Sequence, residues 1–140
     1  MSLGRALVAH LRSAAPGLGG RIYQTRLPQR PTFPAAEFET SRTLVATHDV
    51  NRSPAGRIHE ARIQIDVYGR TADGGAEGGD SADLAADEIE DAMRVFEGTF
   101  SGDGWSTRVA GTLQLDRDSA AWDEPTRTFI TSLEFRTFVQ

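Results

Sequence analysis

The sequence predicts an α+β domain: a mostly antiparallel sheet of four to five strands with two helices packed on one face, in the order α-β-β-β-α-β-β. Three patterns carry this expectation. Two segments repeat apolar residues at helical spacing, and each has a single apolar stripe, so each can cover a sheet on one side only. The run Ala61 to Tyr68 alternates apolar and polar residues, the mark of a strand with one buried face and one face that is wet or covered by a partner. Glycine and proline clusters separate these runs, and no solenoid-length repeat is present.

Taken in order, Leu3, Leu7, Leu11 and Ala14 give the first helix, with Ala6 alongside, Ser2 as a plausible N-cap and Pro16-Gly17 as the stop. A short strand at Arg21–Thr25 follows, then a loop punctuated by Pro28, Pro31 and Pro34. Residues 35–46 read as a strand in which Ala36, Phe38 and Leu44 share one parity, although Arg42 breaks it. Residues 47–57 form a polar turn, so strands 35–46 and 58–68 pair as an antiparallel hairpin. The second strand places Ala61, Ile63, Ile65 and Val67 on one face and Arg62, Gln64, Asp66 and Tyr68 on the other. Thr71–Gly79 is a glycine-rich linker that buries almost nothing.

The second helix is expected from about Ser81 to Glu97, capped by Asp80 or Ser81 and ended by Gly98. Its buried stripe is Ala85, Ile89, Ala92, Met93 and Phe96. Two strands close the chain. Trp105, Val109, Leu113 and Leu115 share a parity in the first, and Phe129, Leu133 and Phe135 share one in the second. The connection 116–126 is acidic and exposed. The two helices are then used up on one face of the sheet, and the other face is polar with nothing left to cover it.

Length and composition narrow the function. The 140 residues suit one domain, residues 1–140, with one core. With no cysteine, disulfides, thiolate metal sites and a cysteine nucleophile are excluded, and the usage fits a reducing compartment. No apolar run reaches membrane-spanning length. Arg5, His10 and Arg12 interrupt the N-terminal segment, so it lacks the continuous apolar core of a signal peptide. All 15 basic residues are arginine, and the net charge is −5. Residues 1–70 are net basic and residues 71–140 strongly acidic. A net acidic chain is a poor general binder of nucleic acid. The asymmetry either lets the basic side of one copy meet the acidic side of the next, or is mixed away by folding.

No catalytic constellation emerges, and the chain reads as a non-enzyme with no cofactor, catalytic residue or metal site. His10 lies beside an apolar stripe and reads as a packed or surface histidine. His48-Asp49 and His59-Glu60 flank one hairpin, and a metal site there would need a third ligand and an outer shell of hydrogen bonds. Gly17-Leu18-Gly19-Gly20 follows a helix and precedes a strand, the reverse of a phosphate-cradling loop. The acids Asp80, Asp83, Asp87, Glu88, Glu90 and Asp91 read as a solvated helix face, with Asp80 and Asp83 suited to the positive end of the helix dipole. The open sheet face is therefore the candidate site. The expected contacts to a neighbouring subunit are Arg62, Gln64, Tyr68, Arg52, Glu134 and Arg136, with Tyr68 as a possible aromatic anchor.

Several segments resemble one family in their order and spacing. They are the helix Leu3–Leu11; Gly19-Gly20-Arg21-Ile22-Tyr23; Pro34-Ala35-Ala36-Glu37-Phe38; the strand Ala61–Gly69; the helix segment Ala85-Ala86-Asp87-Glu88-Ile89; and the closing Phe135-Arg136-Thr137-Phe138. Together they are similar to the tail-terminator, or tail-completion, proteins of long-tailed phages and of phage-like gene transfer agents. The loop 71–80 and the connection 116–126 look longer and more acidic than in that family. The resemblance implies a structural protein of a virion or phage-like particle, assembled in the bacterial cytoplasm and placed at the neck, with no membrane contact. It implies a homohexameric ring that caps the finished tail tube, stops polymerisation of the major tail tube protein and offers a surface to the head or neck connector. DNA would pass through the lumen without sequence-specific binding. The alternatives are another neck component, such as a stopper or head-completion protein, a small metal-dependent enzyme using His48, His59 and nearby acids, and a ligand-binding α+β domain of metabolism.

Overall fold

A computed structural model describes residues 2–47, 57–71, 75 and 77–140. The polar turn with His48 and Arg52 therefore lies outside the described residues. The elements run α1 (Ser2–Ala14), a 3-10 turn (Pro16–Leu18), β1 (Ile22–Gln24), β2 (Ala35–Thr47), β3 (Arg57–Gly69), α2 (Glu77–Met93), β4 (Gly98–Gly102), β5 (Trp105–Asp123) and β6 (Thr128–Val139). They form one six-stranded sheet in the order β1-β2-β3-β6-β5-β4. Only β1 and β2 are parallel; the other pairs are antiparallel. The α+β class with two helices holds, but the sheet is mixed and has six strands where four to five were expected.

The expected hairpin of β2 and β3 is present, with Ala36 opposite Val67, Phe38 opposite Ile65 and Ser41 opposite Arg62. Period-two alternation does what it should: Ala61, Ile63, Ile65 and Val67 are all fully buried, as are Leu133 and Phe135 across from them on β6. α2 lies over β3, β6 and β5, and α1 packs against α2, β1 and β5. Their stripes, Leu3, Leu7 and Leu11 on α1 and Ala85, Ile89, Ala92 and Met93 on α2, join these strand residues in one core. Burying each such large apolar side chain stabilises the fold by roughly 1.5–3 kcal/mol. His10 is packed: its ring meets Phe96 and Phe100, and Nε2–H donates to the Ala92 carbonyl at 2.6 Å.

Four expectations need correction. α2 begins at Glu77, not Ser81, and ends at Met93. The segment taken as a linker thus supplies its first turn, with Gly78 and Gly79 buried in it. The reason is close approach: a Cβ on Gly69 would stand 2.2 Å from the Gly78 carbonyl oxygen and 2.7 Å from Ala82 N. Secondly, β4 was missed. It pairs with β5 through the turn Gly102-Asp103-Gly104-Trp105, and Asp-Gly is a strong hairpin signal.

Thirdly, the supposed connection from residue 116 is strand as far as Asp123, paired to β6. Fourthly, Leu113 does not share the inward parity of Val109. Register shifts at Val109/Gly111 and Gln114/Asp116 each insert one residue, and an inserted residue moves those after it to the opposite face. Leu113 thereby lands opposite Arg136 and is 54% exposed; Leu115, beside the second shift, is exposed as well. Gly111 sits at the first shift with φ +153°, backbone that favours glycine.

The open sheet face, a candidate assembly surface

The sheet face away from the helices carries a polar field. β3 contributes Glu60, Arg62, Gln64 and Asp66; β6 contributes Ser132, Glu134 and Arg136 opposite them, with Gln64 paired to Glu134 and Asp66 to Ser132. β2 adds Glu37 and Glu39 on one flank, and β5 adds Asp116 and Asp118 on the other. Around Arg62 and Arg136 carboxylates outnumber arginines, so this part of the face is acidic.

Four of the six expected contact residues come together here. Arg62 Nη1 donates to Glu134 Oε1 at 3.1 Å, and Arg62 Nε lies 3.8 Å from Glu60 Oε1. Arg136 stands opposite Arg62, with its Nε 3.9 Å from the same Glu60 oxygen and its guanidinium 5.8 Å from the Phe138 ring centre. Arg136 Nε is buried without a hydrogen-bond partner among the described residues. Gln64 is exposed between the two carboxylate rows. Ser132 Oγ donates to Asp66 Oδ1 at 2.7 Å. The result is a pre-ordered but wet network, and such exposed pairs contribute little to stability, roughly 0.2–1 kcal/mol each. Fixed charges in known places are the kind of pattern by which a complementary surface can be selected.

Tyr68 stands apart from the quartet. Its register puts it at the end of the same face, opposite Ala35 and Ile130, but only 8% of it is exposed. It forms part of the wall of a cleft of about 620 Å³ under the proline loop, with Pro28, Arg30, Pro31, Phe33 and Arg70. Its hydroxyl donates to Glu37 Oε1 at 2.5 Å. Burial, and then this bond to a carboxylate, push the Tyr68 pKa well above the ordinary tyrosine value. Arg52 lies outside the described residues, so the sixth expected contact has no position.

Sequence reasoning missed Arg117. On the helix side of β5 it gathers three acids of α2: Nη1 binds Asp87 Oδ1 at 2.7 Å and also Glu90, and Nη2 lies 3.4 Å from Asp83 Oδ1. Partial burial works against its charge, but the hydrogen bonds to Asp87 and Glu90 prevail and hold its pKa above the ordinary arginine value. Thr131 Oγ1 donates to Asp83 as well, at 2.7 Å. Half of the acidic run on α2 therefore clasps helix to sheet through Arg117, with Glu90 largely covered and Asp87 still exposed. Glu88, too, is engaged, accepting the Gly17 N–H at 3.0 Å. Among the described residues no group of three or more His, Asp or Glu is placed to hold a metal ion. His59 lies on β3 opposite Val139, and His48 is outside the described residues. No helix among those residues is long and apolar enough to cross a membrane.

A two-layer domain whose sheet is shielded on one side presents the ordered charged groups of its other side as a surface. The chain belongs to the family described as Tail completion protein gp17, whose model matches residues 5–140. That membership gives it a tail-associated structural role in a phage-like particle. Among solved structures, a chain from the virion of a native gene transfer agent (GTA) particle shares the fold. It has a TM-score of 0.67 and 20% identity, over 98% of this chain and 93% of that one. A second solved chain has a TM-score of 0.48 and 14% identity, over 99% of this chain and 91% of that one. No curated protein matches the sequence.

Proposed function

We propose that the protein is a tail terminator: a ring of identical subunits, six in number, that caps the tail tube, ends its polymerisation and joins the tail to the head or neck connector. The observation that carries this reading is the uncovered sheet face with its ordered charges, in a chain whose family completes tails. A surface of this kind stays soluble before assembly because most of its charged groups are exposed or ion-paired. It still offers a fixed pattern to a partner. Arg62, Gln64, Glu134 and Arg136 meet the neighbouring subunit, with Arg52 at the rim. A closed ring needs two different patches on each copy, and one of them is this face. The solved relative of the same fold comes from the virion of a gene transfer agent particle, in keeping with a place inside such a particle. DNA passing the ring's lumen would be repelled by an acidic lining, and the net charge of −5 suits that.

The test is negative-stain imaging of the purified chain mixed with tail tubes. Six-fold rings seated at one tube end are expected, together with tubes that no longer grow. Binding only to portal-bearing heads would replace this reading with a stopper.

A further inference from the structure

Two surfaces of the molecule remain unexplained by its own fold, and they are complementary. The first is the outer stripe of α2. Glu77, Asp80, Leu84, Asp91 and Val95 fall at spacings of three, four and seven, so they line one side of the helix or of the turn that follows it, opposite the core stripe, with Asp87, already held by Arg117, at its edge. Leu84 is 69% exposed and Val95 63% exposed. Leu84 and Val95 are eleven positions apart and form no continuous apolar patch; Leu84, one turn from Asp80, is the large apolar side chain that the helix itself offers on this side.

The second surface is the cleft of about 620 Å³ under the proline loop. Its floor and walls are apolar, with Pro28, Pro31 and Phe33, and it carries two cations, Arg30 and Arg70. Like most arginines among the described residues, neither has a carboxylate within ion-pair distance, but these two converge on one apolar cleft. The Arg70 guanidinium is already held over the Phe33 ring, 5.1 Å from its centre, so little side-chain freedom remains to be lost on binding. The cleft opens at the end of the uncovered sheet face, where Tyr68 and Thr128 line it. The α2 stripe lies on the helix side of the same sheet.

We propose that the α2 stripe of one copy seats in the arginine-bearing cleft of the next. Leu84 enters against Pro28, Pro31 and Phe33, while the flanking carboxylates meet Arg30 and Arg70. Donor and acceptor patches on opposite faces make the contact heterologous, so it propagates front to back and can close into a ring. This rests on the ring reading and deepens it: beside the charged sheet face, it adds a donor patch and an acceptor patch to the contact between successive copies.

The native chain has no cysteine, which allows a clean test. Arg30→Cys and Leu84→Cys are made in separate full-length chains, both at exposed positions, and treated with a short bismaleimide alone and mixed, with and without tail tubes. A covalent dimer that forms only in the mixture is expected. Arg70→Glu in the Arg30→Cys chain should lower its yield about threefold to fivefold, the effect of one exposed ion pair. Asp80→Arg in the Leu84→Cys chain should restore it. A dimer from Leu84→Cys alone would mean a stripe-to-stripe contact and overturn the proposal. Rings on tubes without the mixed cross-link would overturn the proposal while leaving the ring reading intact. Absence of any assembly larger than one chain, with or without tubes, would end both.

Discussion

Tyr68 shows how a single side chain joins the sheet to its loop. Its ring closes one side of the cleft, and its hydroxyl is tied to Glu37. Tyr68→Phe removes a hydrogen bond to a charged acceptor, and at neutral pH it should cost about 1.5 kcal/mol, the low end for such bonds because Glu37 is only half-buried. The pH dependence follows from the raised pKa. The folded state holds the phenolic proton more tightly than the unfolded chain. The stability due to Tyr68 is therefore complete below about pH 10, the ordinary tyrosine value, and is lost as pH rises beyond it. Urea unfolding of both proteins from about pH 8 to 11 should show a steady gap between wild type and Tyr68→Phe up to about pH 10 and a narrowing one above it; a gap that stays constant to about pH 11 would contradict this account. At this scale the sequence was legible wherever alternation alone decides the outcome. Arg62, Gln64, Glu134 and Arg136 share a face because Ile63, Ile65, Leu133 and Phe135 must be inside. It was illegible where a distant segment intervenes. Nothing local to Tyr68 announces that a loop some forty residues earlier will cover it. Nothing local to Arg117 announces three carboxylates arriving from α2.

Between elements, the joint of β3 and α2 is set by contact between backbones. Gly69 and Gly78 let the start of the helix lie directly on the end of the strand, and Phe129 of β6 packs on Gly78 and Gly79 from the other side. Gly69→Ala places a methyl group against the backbone atoms of Gly78 and Ala82, which no rotamer change can relieve. The variant should lose about 1–3 kcal/mol, the range for overpacking, read as a lower denaturant midpoint with unchanged m. A midpoint equal to wild type would show that the helix start is free to move aside. The same glycines explain why this element was misplaced from sequence: glycine composition reads as a linker, yet glycine is also what tight element crossings require. The opposite failure befell β5. Its residues 116–123, rich in Asp, Ser and Ala, have poor strand propensity, but β6 beside them supplies partners for all but Ser119 and Ala120. Tertiary pairing decides such a segment, and the three register shifts along it hide the alternation that would otherwise reveal it.

At the scale of the whole molecule, the architecture separates what folds the chain from what the chain presents. The core lies between one sheet face and two helices; the charged network lies on the other face and is nearly dispensable for folding. Arg62→Glu tests that separation. In the monomer, Arg62 is more than half exposed and bridges Glu60 and Glu134. Reversing its charge removes two exposed pairs and sets three carboxylates side by side, which should cost about 1 kcal/mol or less because water and salt screen them. In the proposed ring the same change would alter a recognition pattern, where a like-charge contact costs several kcal/mol, multiplied over every interface. The variant should therefore keep its far-UV circular dichroism and melt within about 5 °C of wild type, yet fail to form rings on tail tubes. The measurement must be made on the assembled state, by sedimentation with tubes and by mass of the tube-bound complex, because the free chain can be monomeric in both proteins. Rings of normal mass from Arg62→Glu would remove this face from the interface and leave the contact to be carried elsewhere on the surface.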